Sequence, residues 1–168
     1  MISVMEAAFP GRDVNVVFAR GMPLDRLTQG LRGLRREPLA SGEADGWAWA
    51  VHDMLNPDED GYEGVSYERI CPVGTELVVF VTQPCSAKAH APDFAYHRDG
   101  RLVLGFSFEG LHCRVGDNPD YLSPELLAAG LIGSDEDGEH DQDELLAQVI
   151  TDFFGLPVPQ CAPEGGSR

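Results

Sequence analysis

The sequence predicts an α+β domain: a two-layer arrangement with a mostly antiparallel sheet of about five strands and helices packed on one face. Three observations carry this. Alternating or continuous apolar runs recur through the middle of the chain with little helical pattern between them. An Asp99-Gly100 pair joins two of those runs as a hairpin. A strongly amphipathic helix follows the last strand.

The first strand is "DVNVVFARG", over about 14–20. Val14, Val16 and Phe18 share one fully apolar face, with Asn15, Val17 and Ala19 on the other. Pro23 suits the first turn of a helix, and Leu24, Leu27, Leu31 and Leu34 recur at helical spacing among arginines. Gly30 and Gly33 weaken that helix by roughly 1 kcal/mol each, so packing has to hold it. "GWAWAVHD", near 46–53, is the second strand. Trp47, Trp49 and Val51 face one way; Ala48, Ala50 and His52 face the other, where the small alanines leave room for a helix.

After the turn-rich "NPDEDGYEG", "GVSYERI" reads as a short helix or an irregular stretch. "GTELVVFVTQ", near 74–83, is β-branched and continuous, the pattern of a buried strand. Strands near 92–98 and 101–109 flank Asp99-Gly100, and Leu102, Leu104, Phe106 and Phe108 line one face of the second arm. Ser123 caps a short helix, Pro124 opens it and Gly130 closes it. The last helix, about 142–154, carries a stripe of Leu145, Leu146, Val149, Ile150, Phe153 and Phe154, with Gly155 and Pro157 as its stop. Phe153 and Phe154 are expected in the core.

A chain of 168 residues with 43% hydrophobic and 24% charged residues is long and apolar enough to fold as one domain. That domain is expected over 1–158, with a flexible tail at 159–168 that has nothing to bury. "MISVMEAAFPGRDV" has neither the basic start nor the apolar run of a secretory signal. No stretch approaches the ~20 apolar residues of a membrane span. A cytoplasmic location is the expectation, with Cys71, Cys85, Cys113 and Cys161 as reduced thiols. The absence of C-x-x-C gives a zinc ribbon or thioredoxin-type site no support.

The net charge of −16 is unevenly spread. Residues 1–50 balance six acidic against six basic side chains, whereas residues 51–168 hold 22 acidic against six basic. Such a field repels phosphate backbones, which argues against nucleic acid. It attracts cations or a basic protein, or simply keeps the chain soluble.

The tetrapeptide "DEDG" occurs twice, as Asp58, Glu59, Asp60, Gly61 and as Asp135, Glu136, Asp137, Gly138. On an EF-hand template the second copy puts Asp135, Asp137 and Glu144 at loop positions three, five and twelve. Position one is then Gly133, where an aspartate ligand is required. The first copy puts Tyr67 at position twelve. Both are read as solvated turns, and no metal and no cofactor are expected.

Arg114 lies close in sequence to Asp117 and Asp120 within "CRVGDNPDYLSPELL", an arrangement that either presents a ligand or pins a loop. A Cys–His couple would have to join distant residues, Cys71 or Cys85 with His97, and no spacing selects it. There is no P-loop, no G-x-G-x-x-G and no G-x-S-x-G.

The stretches "FARGMPLDRL", "DGWAWAVHD", "DGYEG", "VGTELVVFV", "YHRDGRLVLGF", "RVGDNPDYL" and "AAGL" occur in an order that resembles an uncharacterised small-domain family, a domain of unknown function, of high-GC Gram-positive bacteria. The likeness spans about 14–157. It departs at Met22, where the pattern has a Ser or Thr cap, and in the acidity of 135–144. The resemblance implies a single domain and a bacterial cytoplasm, and it carries no catalytic residue over.

These features favour a non-enzymatic, acidic protein-binding module of the immunity or inhibitor type, with a basic protein as partner. Asp58, Glu59, Asp60, Asp135, Glu136, Asp137, Arg114, Asp117 and Asp120 are its candidate contact residues. An apolar surface around Trp47, Trp49 and Arg114 is the other candidate face. A small hydrolase or transferase with a Cys–His or Asp–Arg site, and a domain that recognises a small ligand on its sheet, stand as alternatives. The sequence is silent on oligomeric state.

Overall fold

The computed structural model describes residues 1–54, 65–82, 91–133 and 142–161. Its centre is one six-stranded sheet: β1 (Val14–Arg20), β2 (Pro38–Ala44), β3 (Trp47–Asp53), β4 (Glu76–Val81), β5 (Asp93–Arg98) and β6 (Arg101–Ser107). The spatial order is β2-β3-β1-β4-β5-β6, and every neighbouring pair is antiparallel. Four α-helices accompany it: α1 (Ile2–Ala8), α2 (Leu24–Gly33), α3 (Ser123–Ala128) and α4 (Gln142–Phe154). The α+β class and the antiparallel sheet are as the sequence predicts.

Strand alternation divides the interior in two. Val16, Phe18, Trp49, Val51, Val78 and Phe80 share a core with α1, α3 and α4. Phe154 ties α4 to β5, its ring 6.2 Å from Phe94 and 4.8 Å from Tyr96. The opposite face carries Val17, Ala19, Ala48, Ala50 and Val79. There α2 lies against β2 and β3 and buries Leu27 and Leu31. The alanines of β3 do receive a helix, so α2 adds a partial layer on the second face.

Two elements go beyond the expected set. β2 pairs with β3 through Asp45-Gly46, whose φ angles of 52° and 81° make a second turn of the Asp99-Gly100 kind, at 54° and 77°. α1 buries Ile2 and Met5, and Phe9, which caps its end, continues the same helical spacing into the core. The Glu144 carboxylate accepts the Ser3 N–H at 2.7 Å and so closes the first turn of α1.

Four expectations are corrected. Phe154 is buried, but Phe153 is 39% exposed and packs edge-on to Tyr121, because α4 turns Leu146, Ala147 and Ile150 inward instead. Ser123 is the first residue of α3 and does not cap it; its hydroxyl donates to Asp120 at 2.9 Å. Leu102 leaves the Leu104 and Phe106 face, because a bulge lets Tyr96 pair with Leu104 while His97 pairs with Leu102. Trp47 and Trp49 are interior residues and form no surface. Beyond residue 158, Pro159 is buried and Cys161 packs against the core.

Candidate functional site

The second face of the sheet holds a chain of buried polar groups. Asn15 on β1 and His52 on β3 sit opposite each other in register, and both meet Tyr67 from the turn Tyr67–Ile70. The Asn15 Nδ2 lies 2.7 Å from the Tyr67 hydroxyl, and His52 Nε2 lies 2.9 Å from it. His52 Nδ1 lies 2.8 Å from the Asp53 carbonyl, which can only accept. The proton of the neutral ring is therefore on Nδ1, and Nε2 is an acceptor. Tyr67 then donates to His52 and accepts from Asn15. Burial pushes the His52 pKa down from 6.5 to about 4, which keeps the ring neutral near pH 7.

That assignment leaves the Asn15 Oδ1 without a donor among the described residues. His97, on β5 of the same face, has an Nδ1 with no hydrogen-bond partner among them. Burial holds its pKa below the ordinary value, against the pull of the Glu68 carboxylate 3.9 Å away. A buried polar group with no partner is uncommon enough to require an explanation.

Both residues line a cleft of about 430 Å³ over β4, β5 and β6. Val79, Ala95 and Gly105 form its floor, in register across the three strands. Tyr67 and Val65 stand on one side, Leu102, Cys113 and Val115 on the other. Among the described residues no α-helix covers this half of the face, since α2 lies over β2 and β3.

The wall containing Cys113 is fixed by a short ladder against β6. Gly105 donates to the Val115 carbonyl at 2.8 Å and accepts from the Val115 N–H at 2.9 Å. Gly116 then needs its glycine: φ is 119°, and a Cβ would stand 2.5 Å from the Val103 carbonyl oxygen. Arg114 secures the loop. It donates to the carbonyls of Pro119 at 2.9 Å and Leu111 at 2.5 Å, and to Asp120 at 3.0 Å. Hydrogen bonds from Arg114 and Ser123 hold Asp120 below the usual carboxylate range. Asp117 is not part of this cluster and pairs with Arg101 at 2.9 Å. The sequence therefore joins Arg114 correctly with Asp120, and the arrangement pins a loop.

Asp58, Glu59, Asp60, Asp135, Glu136, Asp137 and Cys85 lie outside the described residues. Cys71 is buried, with its thiol 3.6 Å from the Thr75 carbonyl. Cys113 is exposed and shares the cleft with His97. Among the described residues no three His, Cys, Asp or Glu side chains gather as metal ligands. No helix among them is long and apolar enough to cross a membrane.

A family model described as a family of unknown function, DUF6461, matches residues 39–156. The chain belongs to DUF6461. The part matched to DUF6461 runs from β2 to the residue pair after α4 and includes His52, Tyr67, His97, Cys113 and Arg114; Asn15 precedes it. No curated protein and no solved structure matches the chain.

Asn15, His52 and Tyr67 are the site residues that sequence reasoning missed. One signal was there: Asn15 is the polar residue on a strand face it shares with Val17 and Ala19. A polar side chain so placed has to find a partner.

Proposed function

We propose that the domain is a non-enzymatic binding module whose ligand is a small organic molecule seated in the cleft over β4, β5 and β6. One observation carries this reading: a largely apolar concavity has two buried polar atoms at its edge, Asn15 Oδ1 and His97 Nδ1, without hydrogen-bond partners among the described residues. Apolar walls with a few convergent polar groups are the usual make-up of a small-molecule site. The test is amide chemical-shift mapping with 2-naphthol as probe. Shifts should cluster at Val79, Ala95, Gly105 and Val115 and vanish in Ala95→Phe, which fills the floor. Shifts scattered elsewhere, or equal in the variant, would sink the reading.

A second reading is favoured by the net charge of −16 and the pI near 4.4. The acidic surface would steer a basic protein onto the domain, as in an immunity or inhibitor protein. Replacing Asp135, Glu136 and Asp137 by Asn and Gln should then slow association with such a partner about tenfold or more at low salt. An unchanged rate would reduce the acidity to solvation. A cytoplasmic location and an origin in high-GC Gram-positive bacteria belong to this proposal, resting on the resemblance in motif order.

A further inference from the structure

We infer that the cleft selects neutral ligands carrying an N–H or O–H donor, and that the Asp53–His52–Tyr67–Asn15 chain sets this selectivity by locking the orientation of the Asn15 amide. The inference rests on the small-ligand reading of the cleft.

An asparagine amide offers a donor at one end and an acceptor at the other, and it can turn by half a revolution. In an unconstrained cleft it could satisfy either kind of ligand. Here the choice is made three residues away. The Asp53 carbonyl, 2.8 Å from His52 Nδ1, must receive a proton, which leaves Nε2 bare. Nε2 takes the Tyr67 hydroxyl proton across 2.9 Å. The Tyr67 oxygen is then the acceptor for the Asn15 NH2 at 2.7 Å. Turning the amide would face its oxygen toward a hydroxyl whose proton is already committed. That would strand two acceptors against each other in a buried setting.

The three side chains are buried, Asn15 3% exposed, Tyr67 5% and His52 0%, and both bonds at the Tyr67 hydroxyl are buried, while the bond to the Asp53 carbonyl is partly so. The orientation is therefore held by two bonds at the Tyr67 hydroxyl that solvent does not compete for. What remains is an acceptor, Asn15 Oδ1, at the β1 edge of a cleft whose floor is Val79, Ala95 and Gly105. A donor on the ligand satisfies it. An ether or a carboxylate at the same place sets acceptor against acceptor, and the net negative charge of the chain adds to the exclusion of anions. The neutral His97 ring, its centroid 6.1 Å from that of Tyr67, contributes shape and hydrogen bonding without a positive charge that would draw an anion back.

The experiment is a pair of titrations with indole and benzofuran, two rings of nearly equal shape that differ in N–H against O. Binding is followed by amide shifts near pH 7.5 in the full chain and in Tyr67→Phe and Asn15→Leu, each first checked for fold by circular dichroism. The expected result is a preference for indole of about tenfold in the native chain, the scale of one hydrogen bond. It should fall below about twofold in Tyr67→Phe, where the amide is free to turn, and disappear in Asn15→Leu. Equal affinities in the native chain, or a preference that survives in Asn15→Leu, would overturn the inference while leaving the cleft as a ligand site. If neither ring perturbs the cleft, the small-ligand reading falls and this inference falls with it. Equal affinities in the native chain would overturn the inference even where a variant does not fold.

Discussion

The Nε2 of His52 stands 2.9 Å from the Tyr67 hydroxyl, and this contact joins strand β3 to the turn that walls the cleft. Both residues are buried, so neither can exchange the other for water. A fold that closes its sheet around a histidine this way gives up freedom in pH as well as in geometry.

The pH dependence follows directly. The folded His52 pKa is depressed to about 4, while the unfolded ring titrates near 6.5. Below 6.5 the unfolded chain therefore binds a proton that the folded chain refuses. Stability is full above 6.5 and falls as the pH drops toward 4, and His97, also depressed, acts in the same direction. Between roughly pH 7 and pH 5, His52 alone should cost about 2 kcal/mol. Urea unfolding across that range checks it, with a flatter profile expected in His52→Gln.

Tyr67→Phe should destabilise the fold by about 1–3 kcal/mol, since His52 Nε2 and the Asn15 amide each lose a buried partner. A denaturation midpoint that does not move would mean water already serves both groups.

Phe106→Ala should cost about 3–5 kcal/mol, because the ring is buried 5.0 Å from Phe94 in the core beneath α4. Leu102→Ala, on the cleft side of the bulge and half-buried, should cost markedly less. Thermal unfolding of the pair distinguishes the bulged register from strict alternation.

Arg114→Ala should loosen the cleft wall more than the core. A loss of about 1–2 kcal/mol is expected, with faster amide exchange at Val115. Arg114→Lys should not restore the wall, since an ammonium cannot reach two carbonyls and Asp120 in the fork geometry of the guanidinium.

Strands were legible wherever alternation was backed by β-branched residues, as in "VNVVFAR" and "ELVVFV". Asp99-Gly100 announced its hairpin through the positive φ it requires, and Asp45-Gly46 carried the same signal. β2 escaped because Pro38, Ser41, Gly42 and Glu43 are poor strand formers, held there by pairing with β3. Leu102 could not be placed, since a bulge leaves no mark in the apolar pattern. In the site, Arg114 with Asp120 was readable from spacing. The Asn15–Tyr67–His52 chain was not, because its members lie 52 and 15 residues apart and meet only through the sheet register.

The most direct test of the cleft as a binding site is the alkylation rate of Cys113, an exposed thiol on its wall, followed by mass spectrometry with and without saturating 2-naphthol. Occupancy should slow modification of Cys113 several-fold, leave Cys161 unaffected, and lose its protective effect in Ala95→Phe. Equal Cys113 rates with and without the probe, at concentrations that shift the cleft amides, would contradict the account.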